Sequence, residues 1–177
     1  IQDTIFVATI NGIFASTDKG KKWLPRNNGL QPNGFKKIFY NNGRLFISNY
    51  GTGKWHVYYS DDNGFNWTIL ESIQYNSPLC IKASSNYLFV SCEHNNLFIS
   101  SDNGNTWKEL ILQGLANDLL ARDSILIVPE QKKGIIISTN YGFTFRKILE
   151  FNNNYDNGIE ILEYDNEYIY CASRERL

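Results

Sequence analysis

Glu93 and His94 are the one acid–imidazole neighbour pair in this chain of 177 residues. Such a pair suits general acid–base work when a nucleophile lies within hydrogen-bond reach. Here the surrounding run, Cys92-Glu93-His94-Asn95-Asn96, reads equally well as a polar hairpin, and no nucleophile stands near it in sequence. Glycoside hydrolysis needs two carboxylates roughly 5–9.5 Å apart across the substrate. Glu93, Asp123, Glu130 and Asp165 fall near predicted strand ends, and each reads more simply as a solvated turn carboxylate. Tyr50 and Trp55 bracket Gly51-Thr52-Gly53, an aromatic and Gly-rich loop that could stack on a sugar ring or merely cover a sheet. It lacks GxxxxGK[ST] and is no phosphate cradle. Asp61-Asp62-Asn63 and Tyr155-Asp156-Asn157 miss the calcium-loop pattern, and His56 and His94 have no zinc spacing. No catalytic residue, metal or cofactor is therefore expected. Cys80, Cys92 and Cys171 are odd in number and read as packing thiols, with Cys80 and Cys92 on opposite faces of one predicted hairpin.

The bulk properties narrow the partners. Lys+Arg total 17 against 18 Asp+Glu, a net charge of -1, so the long-range pull of a nucleic-acid binder is missing. No apolar run reaches the roughly 20 residues of a membrane span. At 42% hydrophobic and 15% aromatic residues the chain can build a core. It contains no Met, which suits a mature secreted protein or a segment of a longer chain.

A repeat organises these residues. Ser16-Thr17-Asp18-Lys19-Gly20-Lys21-Lys22-Trp23 superimposes without gaps on Ser60 to Trp67 and on Ser100 to Trp107, giving S-x-D-x-G-x-x-W. A fourth, degenerate copy runs from Ser138 to Phe145, with Asn140 for Asp and Phe145 for Trp. Asp18, Asp62, Asp102 and Asn140 thus recur at intervals of 44, 40 and 38 residues. The chemistry of the pattern is local. The Asp accepts from backbone N–H groups of its own turn. Gly20, Gly64, Gly104 and Gly142 supply a positive φ. Trp23, Trp67 and Trp107 lay an apolar face over the hairpin.

The flanks repeat as short strands, with the box joining the third strand of each unit to the fourth and the fourth running through the aromatic residue. Asn-Gly, Ser-Asn and Asp-Asn pairs mark the turns. Four-stranded units of about 40–45 residues are the pattern of propeller blades. The fold class is therefore all-β: four box-bearing blades, the first lacking its innermost strand, plus part of a fifth. The blade units fall at 1–30, 31–72, 73–113, 114–152 and 153–177, a segment of a larger propeller.

The boxes resemble the Asp-box, or bacterial neuraminidase repeat, over nearly the whole chain. The phrase from Ser16 to Leu30, in which an N-N-G-L turn follows the box, is most similar to secreted bacterial members. The resemblance implies boxes on the outer rim that are structural and not catalytic. The family includes sialidases, xyloglucan-cleaving hydrolases, sortilin-type receptors and photosystem II assembly factors, so fold alone does not settle function. The sialidase F/Y-R-I-P signature is absent; Leu24-Pro25-Arg26 is not it. The expectation is a non-catalytic scaffold, secreted or at the cell surface, that binds a protein or a glycan and packs against the remaining blades of a parent chain or another copy. The alternative is a segment of a propeller glycoside hydrolase. On this reading Trp107→Ala costs about 3–5 kcal/mol if the ring is buried, and Asp102→Ala about 1–3 kcal/mol. Denaturant unfolding checks both, and two variants as stable as wild type would refute the reading.

Overall fold

The computed structural model describes residues 4–31, 34–50, 56–73, 77–150, 159–164 and 168–173. Trp55, Asp165 and residues 155–157 lie outside them, as does the side chain of Tyr50. Among the described residues the regular elements are strands, apart from two short 3-10 turns at Glu71–Ile73 and Glu93–Asn95.

The first sheet is β1 (Ile5–Thr9), β2 (Gly12–Ser16) and β3 (Leu24–Pro25), and the second is β4 (Gly34–Asn41), β5 (Arg44–Tyr50), β6 (Val57–Ser60) and β7 (Thr68–Ile69). The third is β8 (Pro78–Ser84), β9 (Tyr87–Cys92), β10 (Asn96–Ser100) and β11 (Lys108–Ile111). The fourth is β12 (Leu120–Arg122), β13 (Ile125–Glu130), β14 (Gly134–Ser138) and β15 (Arg146–Glu150), and β16 (Ile159–Tyr164) and β17 (Ile169–Ser173) form a last pair. Within each sheet, consecutive strands pair antiparallel. The chain divides into two compact units, Ile1–Ser77 and Pro78–Leu177, each with its own core.

Two boundaries differ from the expected ones. The outer strands begin just after Trp23, Trp67, Trp107 and Phe145 rather than running through them. The cause is local: the N–H of the residue before each aromatic is already bonded to the Asp or Asn of the turn, so the ladder can only resume beyond it. Strand β12 starts at Leu120 rather than Asp118, because the Asp118 carboxylate accepts from its neighbour's N–H, Leu119 (3.0 Å), and from the Cys80 thiol (3.1 Å).

Burial grades across each sheet. In β5, β9 and β13 nearly every described side chain is buried, whereas β11 and β15 are largely exposed. A middle strand buried on both faces reads as a continuous apolar run, as Leu45-Phe46-Ile47 and Leu88-Phe89-Val90 do. Alternation assigns the faces. Leu126 and Val128 of β13 pack with Phe89, Leu97 and Ile99 of the third sheet, while Ile127 between them packs with Leu120, Ile135 and, on the last pair, Ile169. In the first unit Ile13, Leu45, Ile47, Tyr58 and Trp67 form the core with Phe35, whose ring meets Tyr58 edge-on at 6.2 Å. Cys80 and Cys92 lie on opposite faces of the β8–β9 hairpin, and both are buried free thiols. Burial, with Glu109 and Glu93 adding to it, pushes Cys92 up to about 12.

The four box aromatics are not equivalent. Trp67 is 4% exposed and Trp23 38%, and Trp107 and Phe145 are half-buried. Trp107 therefore does not meet the condition for the large truncation cost set out above. Trp67 does: Trp67→Ala is expected to cost about 3–5 kcal/mol, and Trp23→Ala about 1 kcal/mol or less. Urea denaturation of the two variants tests the order.

Candidate functional site

Each of the four turns is built on one serine hydroxyl. Ser16 Oγ donates to Asp18 Oδ1 (2.8 Å) and accepts from the N–H groups of Gly20 (2.8 Å) and Asp18 (3.4 Å), and Lys22 N–H closes the turn on Asp18 Oδ1 (2.8 Å). Ser60, Asp62, Gly64 and Asn66 repeat this set, as do Ser100, Asp102, Gly104 and Thr106. The fourth copy, degenerate in sequence, keeps every one of these bonds. Ser138 Oγ donates to Asn140 Oδ1 (2.9 Å) and accepts from Gly142 N–H (2.8 Å), and Thr144 N–H reaches Asn140 Oδ1 (2.9 Å).

Only the outer atom differs, and its polarity is reversed. Thr106 Oγ1 donates to Asp102 Oδ2 (2.7 Å), whereas Asn140 Nδ2 donates to Thr144 Oγ1 (2.9 Å). A threonine hydroxyl can do either, so it accommodates both residues.

The carboxylates respond to these bonds. Asp18 is held below its ordinary value by the Lys22 N–H and then by the Ser16 hydroxyl. For Asp62 partial burial pushes upward, but the combined bonds from Asn66, Ser60 and Phe65 prevail and lower it. Asp102 is lowered in the same way by Thr106, Ser100 and Asn105 against its burial.

The N-N-G-L turn, whose sequence signal is the Asn pair before a glycine, proves to be a fastener. Asn27 Oδ1 accepts from Ile13 N–H (2.7 Å) within the first sheet. The Asn28 carbonyl accepts from Trp67 N–H (2.9 Å), the Arg26 carbonyl from Trp67 Nε1 (2.9 Å), and Asn28 Nδ2 donates to Asn66 Oδ1. Gly29 has φ 87°, and a Cβ there would collide with the Trp67 carbonyl. The Arg26 guanidinium also lies over the Phe65 ring at 3.7 Å. This strap is why Trp67 is buried. Arg44 is engaged too, stacked on Tyr59 at 4.3 Å and paired with Asp61 at 2.6 Å.

Two clefts stand out, one in each unit. The first, of about 520 Å³, lies between the β1–β2 hairpin tip and the strap, and is lined by Ile10, Asn11, Gly12, Asn27, Leu30, Gln31, Gly34 and Phe35. None of these described lining residues is charged. Thr9 Oγ1 bonds the Gly12 carbonyl (2.9 Å) and the Asn11 N–H (3.1 Å), locking the tip that holds Ile10 out at 82% exposure. The second, of about 320 Å³, is a groove between β11 and the fourth sheet, with Glu130 in its wall.

Of the acids singled out in sequence, Asp165 lies outside the described residues and the other three stand at three different turns. Glu93 sits in the 3-10 turn after β9, with exposed His94 beside it at φ 64°. Asp123 is at the β12–β13 turn, its carbonyl taken by Ser84 Oγ (2.9 Å), and Glu130 is at the far end of β13. The Tyr50–Trp55 loop is described only at its base, where Asn49 N–H donates to the His56 carbonyl (3.1 Å) and Asn49 Oδ1 accepts from His56 N–H. Among the described residues no group of three His, Cys, Asp or Glu could hold a metal ion, and no helix is long and apolar enough to cross a membrane.

No family model and no curated protein matches the chain. Solved structures do. An ancestral GH74 enzyme aligns with 97% of this chain and 26% of its own at TM-score 0.76 and 13% identity. The extracellular domain of a one-component system from B. thetaiotaomicron aligns with 97% of this chain and 25% of its own at TM-score 0.73 and 14% identity. YCF48 bound to D1 peptide aligns with 98% of this chain and 60% of its own at TM-score 0.68 and 14% identity. The chain thus spans about a quarter of the length of the first two. At these identities the likeness is one of fold. The chain is all-β, built of four-stranded antiparallel propeller blades, about four with part of a fifth.

The turn geometry makes a pH prediction. A carboxyl whose folded value is lowered stabilises the fold fully above its ordinary value of 3.8. That contribution fades as pH falls through the folded value. Asn140 contributes no such dependence. Asp102→Asn, with Thr106 able to turn its hydroxyl, is therefore expected to be more stable than Asp102→Ala at pH 7 and to lose less stability than wild type between pH 5 and pH 2, by about 1 kcal/mol or less. Urea midpoints at the two pH values measure it.

Proposed function

We propose that the chain is a non-catalytic Asp-box β-propeller scaffold whose first cleft binds an extended, uncharged segment of a protein partner. The observation that carries this reading is the described lining of that cleft: Asn11, Asn27 and Gln31 supply carboxamides, Ile10 and Leu30 supply apolar surface, and none of these residues is charged. Carboxamides offer a donor and an acceptor to a peptide backbone, and a rigidly held aliphatic residue gives a side chain somewhere to pack. The peptide-bound structure of YCF48, similar in fold, supports a peptide-binding use of such blades.

A glycan is the weaker occupant, since sugar rings stack on open aromatic faces and Phe35, the one aromatic among the described lining residues, is 7% exposed. The hydrolase alternative needs an acid pair. Among the described residues, the lining of the first cleft holds no carboxylate and that of the second holds Glu130. The structural role of Ser16, Asp18 and their counterparts rests on the serine-centred bonds that recur within each of the four turns. Similarity to an extracellular domain supports a location outside the cell or at its surface.

Selection of displayed peptides on the purified protein tests the proposal. Binders are expected to carry one aliphatic residue among small uncharged ones, and to bind at least about tenfold more weakly to Ile10→Asp. Peptides indifferent to Ile10→Asp, or saturable binding or cleavage of β-glucan oligosaccharides, would overturn it.

A further inference from the structure

The β1–β2 turn departs from its counterparts. The other two-residue turns among the described residues, Asn42-Gly43, Ser85-Asn86 and Asp123-Ser124, are built of polar residues and glycine. Ile10-Asn11 instead puts a β-branched aliphatic residue at the tip and leaves it 82% exposed. The turn itself does not use that side chain. Its closing bonds belong to Thr9 Oγ1, which donates to the Gly12 carbonyl (2.9 Å) and accepts from the Asn11 N–H (3.1 Å). An asparagine or aspartate at position 10 would serve the turn better. An apolar side chain held rigidly in water is an anchor whose ordering is complete before a partner arrives.

The cleft that this tip borders supplies a matching socket. Its described lining sets Leu30 beside the carboxamides of Asn27 and Gln31. Asn27 Oδ1 is committed to the Ile13 N–H (2.7 Å), which leaves Nδ2 to donate to an incoming carbonyl. Such a socket suits one aliphatic residue among small uncharged ones. Ala8-Thr9-Ile10-Asn11 is such a run, and it reaches the tip as the extended end of β1. Anchor and socket thus lie side by side on one molecule. A two-fold axis makes that arrangement self-complementary, because each copy then offers its anchor to the other's socket. A net charge of -1 gives two copies little long-range repulsion.

Resting on the peptide-binding reading of that cleft, we propose that its partner is a second copy of this chain. In a two-fold symmetric dimer the β1–β2 tip of each copy enters the other's cleft. Ile10 packs on Leu30 of the partner subunit, and the carboxamides around it bond to the backbone of the incoming tip.

Sedimentation equilibrium of the whole chain over a concentration series tests the dimer. A contact of this size is small, so a monomer–dimer equilibrium with a Kd of about 10 µM to 1 mM is expected. Ile10→Asp should weaken association at least about tenfold. Ile111→Asp, at a residue equally exposed at 82%, should leave it unchanged. The peptide Ac-Ala-Thr-Ile-Asn-NHMe should shift wild type toward monomer, and the same peptide with aspartate in place of isoleucine should not. A chain that stays monomeric at about 1 mM would overturn the second copy as partner. So would a dimer indifferent to Ile10→Asp, one weakened equally by Ile111→Asp, or one that the peptide leaves intact. The two readings fail separately. A monomer that still binds displayed peptides in an Ile10-dependent way loses the second copy and keeps the cleft as a peptide site, whereas a monomer that binds none loses both.

Discussion

At the base of each outer turn sits a serine hydroxyl with all its hydrogen-bonding capacity in use, donating once and accepting twice. Ser16, Ser60, Ser100 and Ser138 are each at most 2% exposed. A buried hydroxyl left without partners is costly, so the acceptor at the Asp or Asn position and the sharp turn at the glycine follow from the serine's need as much as they supply it. Once this knot is tied, the third strand must end at the serine and the fourth can begin only after the aromatic. Strand length, the reach of the outer strand and the place where the ring leaves the turn are all set by it.

Sheets made this way have two apolar faces and cannot stand alone. The knots define the edges, while stacking supplies the burial, as the opposite commitments of Val128 and Ile127 on one strand show. Where neighbouring sheets meet in the first unit, contact is more than apolar. The strap of residues 26–29 gives two carbonyls to the backbone and ring N–H of Trp67, so an outer turn of one sheet is bonded to the chain leaving the other. The open spaces that remain, a cleft beside the strap and a groove lined by buried Glu130 with Arg146 and Lys147, arise where outer strands and connections fail to close on one another.

Much of the strand pattern was legible because it rests on alternation and on turn residues that act over two to four positions. The fourth turn shows the limit of reading letters instead of atoms: Asn140 departs from the pattern yet makes the same contacts, since its Oδ1 sits where the carboxylate oxygen does and Thr144 adapts to the rest. The candidate acids were harder. Glu93, Asp123 and Glu130 all sit near strand ends in sequence, and nothing in their neighbours distinguishes the one that is buried.

By itself, then, the sequence determined what is local: the four serine-centred knots, the short antiparallel strands between them and the all-β class, because each depends on bonds within a few residues. Only the tertiary structure decided which of the equivalent positions differ. Trp67 is buried and Trp23 is not because a strap from the preceding sheet covers one ring and leaves the other open. Glu130 is buried because β11 and the chain after it pack across the end of β13. Burial is a property of what lies alongside, and what lies alongside a strand here comes from residues about forty positions away.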